Sequence, residues 1–292
     1  MSHFVNTVST RGFTLIELSI VLVIIGLIVG GIMTGQNLIA AAAVRAQITQ
    51  IEKFNTAANT FYGKYGYLPG DLPAPMAAQF GFVSRAGTAG RGDGNGIIQG
   101  YSYNLGTVGN GNVLGGETVF FWEDLSSAHL ISDSFSTATD ANINTPGPNV
   151  TNLSPYIPAA KIGGGNYIAI YNLNGAVYFM LDAVTLVDNN GTMYSNPALT
   201  VMQAYNIDKK IDDGLPQTGR AIALYITANG QNFVWAGSFS NGGVPFTIAT
   251  AGSSTSCFDN GNAAGMIQQY SIEQSNGNGV NCALSLRMQS GD

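Results

Sequence analysis

The sequence predicts an α+β chain: a long N-terminal helix, membrane-spanning in its first half, packed on a C-terminal head that carries an antiparallel β-sheet. Three observations lead there. A run of 20 residues from Phe13 to Ile32 holds one charge, Glu17. Beyond it Val44, Ile48, Ile51, Ala58, Phe61 and Tyr65 fall three, four or seven apart, the stripe of an amphipathic helix. Further on, strand-like segments come in pairs around Asn174-Gly175 and Asn229-Gly230, dipeptides that favour tight hairpins.

Residues 1–12 form a short polar leader ending in Arg11-Gly12. A helix of 20 residues is about 30 Å long, enough to cross a hydrocarbon core, so residues 13–35 are assigned to the span. An ordinary signal peptide would have a shorter apolar core, no acid inside it, and small residues directly after it. Here Ala40 to Ala43 come well past the run. Residues 36–65 continue the helix as its amphipathic half, from about Thr14 to Tyr62 in all, with Gly63, Gly66 and Pro69 closing it. Residues 66–292 make the head.

Composition narrows the function. Charged residues are 10% of the chain, against roughly 25% in typical soluble domains. The balance of 11 basic and 17 acidic residues, with no basic block, disfavours nucleic acid as a partner. Cys257 and Cys282 read as one disulfide in an exported chain, or as two buried thiols. As a bridge they would add on the order of 3 kcal/mol in the chain-entropy model.

Glu17 is the informative residue of the span. A carboxylate inside a membrane helix costs roughly 2.5–3.5 kcal/mol on insertion scales, so it signals a function. The segment Arg11-Gly12-Phe13-Thr14-Leu15-Ile16-Glu17 resembles the signal of type IV prepilins and type II secretion pseudopilins. The resemblance implies a pilin-like layout. It also implies a prepilin peptidase that cuts between Gly12 and Phe13, and N-methylation of Phe13. Glu17 then meets the new amine, one helical turn away or on a neighbouring subunit. The implied setting is a bacterial inner membrane with the head in the periplasm. An assembly platform then moves the subunit into a filament of homologous subunits, periplasmic or extracellular. Many members carry a proline in this stretch. This chain has Gly26, Gly30, Gly31 and Gly35, and no proline before Pro69. Gly30-Gly31 could loosen the helix instead.

In the head, Tyr65 to Pro73 and Gly92 to Ile97 resemble stretches of a prepilin-like subfamily and read equally well as turns. Asp93 and Asn95 offer alternate oxygens that would suit calcium, a hard cation. Residues Glu117 to Ile131 read as a helix burying Phe121, Leu125 and Ala128, with Trp122 beside them. Residues 132–165 read as a long surface excursion. A further helix is expected to start with Asn196 as cap and Pro197 in its first turn. Its inner face would be Val201, Ala204, Ile207 and Ile211. Asp208, Lys209, Lys210, Asp212 and Asp213 would face solvent, and Gly214 and Pro216 would stop the helix. The segment from Gly252 holds both cysteines and a strand at 283–287, the place of the disulfide-bounded region in many pilins.

No catalytic set emerges. His129 is the one histidine beyond the leader, and there is no GxxxxGK[ST], CxxC or HExxH. Glu123 with Asp124 is the acid pair that carboxylate chemistry would need, and nothing singles it out. The chain is expected not to be an enzyme. Three readings follow: a filament subunit, a secretion pseudopilin, or a tip-located subunit that binds a ligand or surface.

Overall fold

A computed structural model describes residues 12, 14–102, 107–109, 113–140, 149–226, 233–236, 256–259 and 267–289. Helix α1 (Leu15–Tyr65) comes first, then α2 (Ala74–Phe80), strands β1 (Gly100–Ser102) and β2 (Thr107–Gly109), and α3 (Glu117–Ser127). Next are β3 (Tyr167–Leu173), β4 (Ala176–Val187), β5 (Met193–Asn196), β6 (Leu199–Thr200) and α4 (Val201–Ile211). The chain ends with β7 (Ala221–Ile222), β8 (Leu224–Ile226), β9 (Phe233–Trp235), β10 (Phe258–Asp259), β11 (Gln269–Tyr270), β12 (Val280–Cys282) and β13 (Leu284–Arg287). It forms two units, residues 1–42 and 43–292.

In the first unit α1 is exposed and apolar, with a mean hydropathy of 2.7 over its most apolar stretch. It is the one helix among the described residues long and apolar enough to cross a membrane. It runs unbroken through Gly26, Gly30, Gly31 and Gly35. A Cβ at any of these would meet nothing within 4 Å, so the fold of this chain does not require their smallness. It suits close approach by another helix. Thr34 donates its hydroxyl to the Gly30 carbonyl at 3.0 Å, which satisfies it in an apolar setting.

In the second unit the rest of α1 buries Val44, Gln47, Gln50, Ile51, Phe54, Ala57, Ala58 and Phe61. Steps of three, three and one keep these on one face. Phe54 meets the Trp122 ring edge-on at 4.9 Å, and Phe61 meets Phe82 at 5.4 Å. The aromatic pairs Phe61–Tyr65 and Tyr65–Phe82 extend the packing one turn beyond Tyr62, so the helix ends at Tyr65.

The main sheet is antiparallel in the order β3-β4-β13-β7, with β5 pairing the far part of β4. The layout is α+β and pilin-like: a long N-terminal apolar helix followed by an antiparallel β-sheet head. Asn174-Gly175 makes the β3–β4 turn with positive φ at both residues, 52° and 81°. That backbone matches the strand twist, and few residue pairs tolerate it. β8 and β9 form the second hairpin, Leu224 opposite Trp235. Its expected Asn229-Gly230 turn lies outside the described residues. The strand at 283–287 is β13, inserted between β4 and β7.

Four details correct the sequence reading. Helix α4 is capped by Thr200, not Asn196. The Gln203 amide donates to the Thr200 hydroxyl at 3.1 Å and the Thr200 amide to Gln203 Oε1 at 2.9 Å, a full capping box. The chain first pairs as β6 with β12, which delays the helix past Pro197. Asp208 is fully buried rather than solvent-facing, because Tyr270 and the Gly214 amide reach it. Helix α3 stops at Ser127, with Trp122 wholly buried in the core. His129 then takes φ 56°, and Leu130 N–H bonds back to the Leu125 carbonyl at 3.0 Å. His129 is thus a left-handed helix stop.

The fourth correction concerns residues 132–165. Leu153, Ile157, Ala160 and Ile162 belong to the core. Gln50 donates to the Ala159 carbonyl at 3.0 Å and accepts from Lys161 N–H at 2.9 Å. Gln47 accepts from Ile162 N–H at 3.0 Å. Two buried glutamines on α1 therefore hold this backbone as a neighbouring strand would. The expected disulfide is formed, with the Cys257 and Cys282 Cα atoms 5.0 Å apart and both residues buried.

Candidate functional site

Glu17 sits in the first turn of α1 within the exposed apolar surface. Its Oε2 accepts both the Thr14 amide and the Thr14 hydroxyl, each at 2.8 Å. Glu17 N–H donates back to Thr14 Oγ1 at 3.2 Å. Thr14-Leu-Ile-Glu17 is therefore a reciprocal cap that satisfies two of the free amides at the helix start. The T-x-x-E spacing signals such a cap, and the sequence reading passed over it. Gly12 is exposed. Phe13 and Arg11 lie outside the described residues, so the expected cleavage position has only its Gly12 side described.

The Asp93–Asn95 segment is built differently from the simple alternate-oxygen site. Asn95 donates its amide to Asp93 Oδ1 at 3.1 Å and its side chain to Asp93 Oδ2 at 3.0 Å. The Asn95 Oδ1 accepts Ile97 N–H at 2.7 Å. Between these turned-out side chains, Gly92, Gly94 and Gly96 take φ near 79°. Their amides point inward, forming a concavity that attracts negative charge.

Two buried carboxyls fill it. Asp71 accepts Gly94 N–H at 2.8 Å and Gly96 N–H at 2.7 Å. Glu117, at the start of α3, accepts Gly92 N–H at 2.9 Å and Gln99 N–H at 2.8 Å. Asp71, Asp93 and Glu117 can each bring one oxygen within 4.8 Å of the others. Burial pushes Asp71 up to about 6 and Glu117 up to about 8, against the pull of the amides, with neighbouring acids adding to the rise. The stability that protonated Glu117 contributes is fully present below its ordinary pKa and lost as pH rises through about 8. Neither Asp71 nor Glu117 was singled out from the sequence, because their partners are backbone amides.

The adjacent acids Glu123 and Asp124 part company on α3. Glu123 accepts Ala138 N–H at 2.8 Å. Asp124 is fully buried and pairs with both terminal nitrogens of Arg85, at 2.6 and 3.0 Å, and with Gly70 N–H at 2.8 Å. The Arg85 guanidinium also lies 4.5 Å from the Phe120 ring centre. Arg85 and Asp124 thus form a locked structural pair.

A second carboxylate group surrounds α4's end. Asp208 accepts Tyr270 O–H at 2.7 Å and Gly214 N–H at 3.0 Å, and burial pushes it up to about 8. Asp212 accepts the Arg220 and Ala221 amides, and Asp213 accepts Leu215 N–H and Thr218 O–H. These acids tie the 212–221 loop to the helix. A groove of about 750 Å³ runs between α1 residues such as Lys53, Thr56 and Thr60 and the segment Leu130–Asp133.

In comparison with known families, residues 9–33 match the model of the prokaryotic N-terminal methylation motif. No curated protein and no solved structure matches the chain. The matched segment contains Gly12, Thr14 and Glu17, the exposed glycine, the cap and the acid just described. It implies processing by prepilin peptidase, inner-membrane anchoring before assembly, and assembly with other pilin-type subunits. Residues 9–33, on an exposed apolar helix, thus carry the cleavage and methylation signal found in type IV pilins and pseudopilins.

Proposed function

We propose that the chain is a structural subunit of a type IV pilus-like filament, a pilin or minor pilin. Prepilin peptidase cuts between Gly12 and Phe13, Phe13 is N-methylated, and α1 assembles with the helices of other subunits. One observation carries this reading: an ionisable residue, Glu17, inside the matched motif on an otherwise apolar, exposed helix. Cutting before the apolar run leaves it on the mature chain, where it first anchors the subunit and then packs in the filament. Before assembly the head is periplasmic; afterwards the filament is periplasmic or extracellular.

A type II secretion pseudopilin would use the same motif and the same helix. A tip-located subunit acting as an adhesin or ligand-binding module would add recognition by the head. The test is to isolate filaments from the native cell and identify their subunits by mass spectrometry. The expected result is this chain beginning at a methylated Phe13. A chain that still begins before Gly12, or is cut beyond Ile32, overturns the reading.

Calcium at Asp93 and Asn95 is also proposed, with Asp71 and Glu117 each bringing a carboxylate oxygen within 4.8 Å of Asp93. Isothermal titration should give heat that Asp93→Ala removes. No heat at millimolar calcium removes the proposal.

A further inference from the structure

The sheet has two faces of different chemistry. Ile168, Ile170, Phe179 and Leu181 alternate with residues on the opposite face. On that opposite face stand Tyr167 and Tyr171 of β3, Tyr178, Met180, Asp182 and Val184 of β4, and Ser285 of β13 opposite Met180. Ser195 of β5 lies opposite Val184. Asp182 is therefore flanked by a serine on each side.

The β8–β9 hairpin covers this face. Ser285 donates its hydroxyl to the Leu224 carbonyl and Ser195 to the Ile226 carbonyl, both at 2.8 Å. Phe233 stacks on Tyr171 with ring centres 4.2 Å apart. The carboxyl of Asp182 is wholly buried beneath this layer, and neither oxygen has a hydrogen-bond partner within ordinary distance. Both flanking serines spend their protons on the hairpin instead.

Among the described residues no cation pairs with that carboxyl. Residues 221–258 contain no Asp, Glu, Lys, Arg or His, so the covering chain brings no charge to it. The titratable groups on the elements packed around it are Tyr167 and Tyr171 on β3, Tyr178 on β4, Tyr194 on β5, Tyr225 on β8 and Arg287 on β13. Of these Arg287 alone is cationic at neutral pH, and it is exposed.

The covering layer is tied at its ends. Ala223 N–H bonds to the Pro216 carbonyl and Ala236 N–H to the Ala223 carbonyl. Cys257 N–H bonds to the Ala236 carbonyl, and Cys257 is held to Cys282 by the disulfide. The two strands of the hairpin are thus anchored at Ala223 and Ala236.

We propose that Asp182 is a proton-operated latch: its neutral carboxyl lets the β8–β9 layer seat on the sheet, and its ionisation loosens that layer without unfolding the head. Burial pushes Asp182 up to about 7, with the Ser195 hydroxyl and the Ile226 amide, both beyond ordinary hydrogen-bond reach of the carboxyl, limiting the rise. The sign follows from the raised value. The latch's contribution is fully present below the ordinary carboxylate pKa and is lost as pH rises through about 7. The layer is expected to be closed in a mildly acidic exterior and more open in an alkaline one.

Amide hydrogen exchange on the full chain in detergent tests this, with rates corrected for intrinsic pH dependence. Between about pH 6 and about pH 8 the protection of residues 222–226 and 233–236 should fall roughly tenfold. Protection of β3, Tyr167–Leu173, should stay constant. In Asp182→Asn, which mimics the neutral carboxyl, the fall should vanish. Two outcomes overturn the proposal: equal protection of the hairpin at both pH values in the unaltered chain, or an undiminished fall in Asp182→Asn. The first needs no variant, so a poorly folding Asp182→Asn still leaves the proposal open to refutation.

Discussion

Arg85→Met lowers the stability of the head by about 3–5 kcal/mol, the usual effect of stripping one partner from a buried ion pair. The Arg85 and Asp124 side chains are 0% and 1% exposed, so water cannot take over for the missing partner. The same carboxylate also holds Gly70 N–H, at a turn with φ 88°. Loss of the arginine therefore weakens the loop that brings Asp71 to its cluster as well. Asp124→Asn should cost a similar amount, because it leaves Arg85 charged and unpaired. The double variant Arg85→Met with Asp124→Leu should recover much of the loss, since a buried pair replaced by apolar groups is often neutral. Denaturant unfolding followed by tryptophan fluorescence reads this directly, as buried Trp122 lies on the same helix. A loss below about 1 kcal/mol for either single variant would contradict the description of the pair as buried and locked.

Glu17→Ala should leave membrane insertion and leader removal intact and abolish filaments. Insertion rests on the apolar run, which the substitution makes more apolar. In the proposed function, assembly rests on matching the carboxylate to an amine created at Phe13. An uncompensated charge in a low-dielectric bundle costs about 3–5 kcal/mol. That is a factor of roughly a hundred or more in the equilibrium for adding each subunit. Glu17→Gln separates two roles. Glutamine can still form the cap with Thr14, as Gln203 does with Thr200, yet it carries no charge. If charge matching drives assembly, Gln fails as Ala does. Normal filaments from Glu17→Gln would reduce the acid's role to capping. Electron microscopy and cell fractionation read both outcomes.

The parts of the fold legible in the sequence are those with local signals. The apolar run and the stripe from Val44 to Tyr65 mark α1, and Asn174-Gly175 marks the β3–β4 hairpin. Cys257 and Cys282 are the chain's two cysteines, so the bridge had a single pairing open to it. What stayed hidden depends on distant partners. Arg85 and Asp124 are 39 residues apart. Asp208 reads as surface charge until Tyr270 folds over it, 62 residues later. The start of α4 was misplaced because Asn196-Pro197 is a strong local signal, and pairing of β6 with β12 overrode it. Asp71 and Glu117 bind backbone amides, which leave no mark in a list of side chains. In the candidate site, Glu17 stood out because a charge breaks an apolar pattern. Its cap to Thr14 was visible in the spacing and was eclipsed by that charge.

The two glutamines on α1 have a mechanical consequence. Gln47 and Gln50 grip the backbone at Ala159, Lys161 and Ile162 on one flank of the helix. Asn55 exchanges two hydrogen bonds with Gln289, at 2.7 and 3.2 Å. A pull along the helix axis is therefore resisted by several bonds strained together in shear, rather than opened one after another. In the filament proposed above, tension carried through α1 would be shared among these bonds rather than borne by one of them.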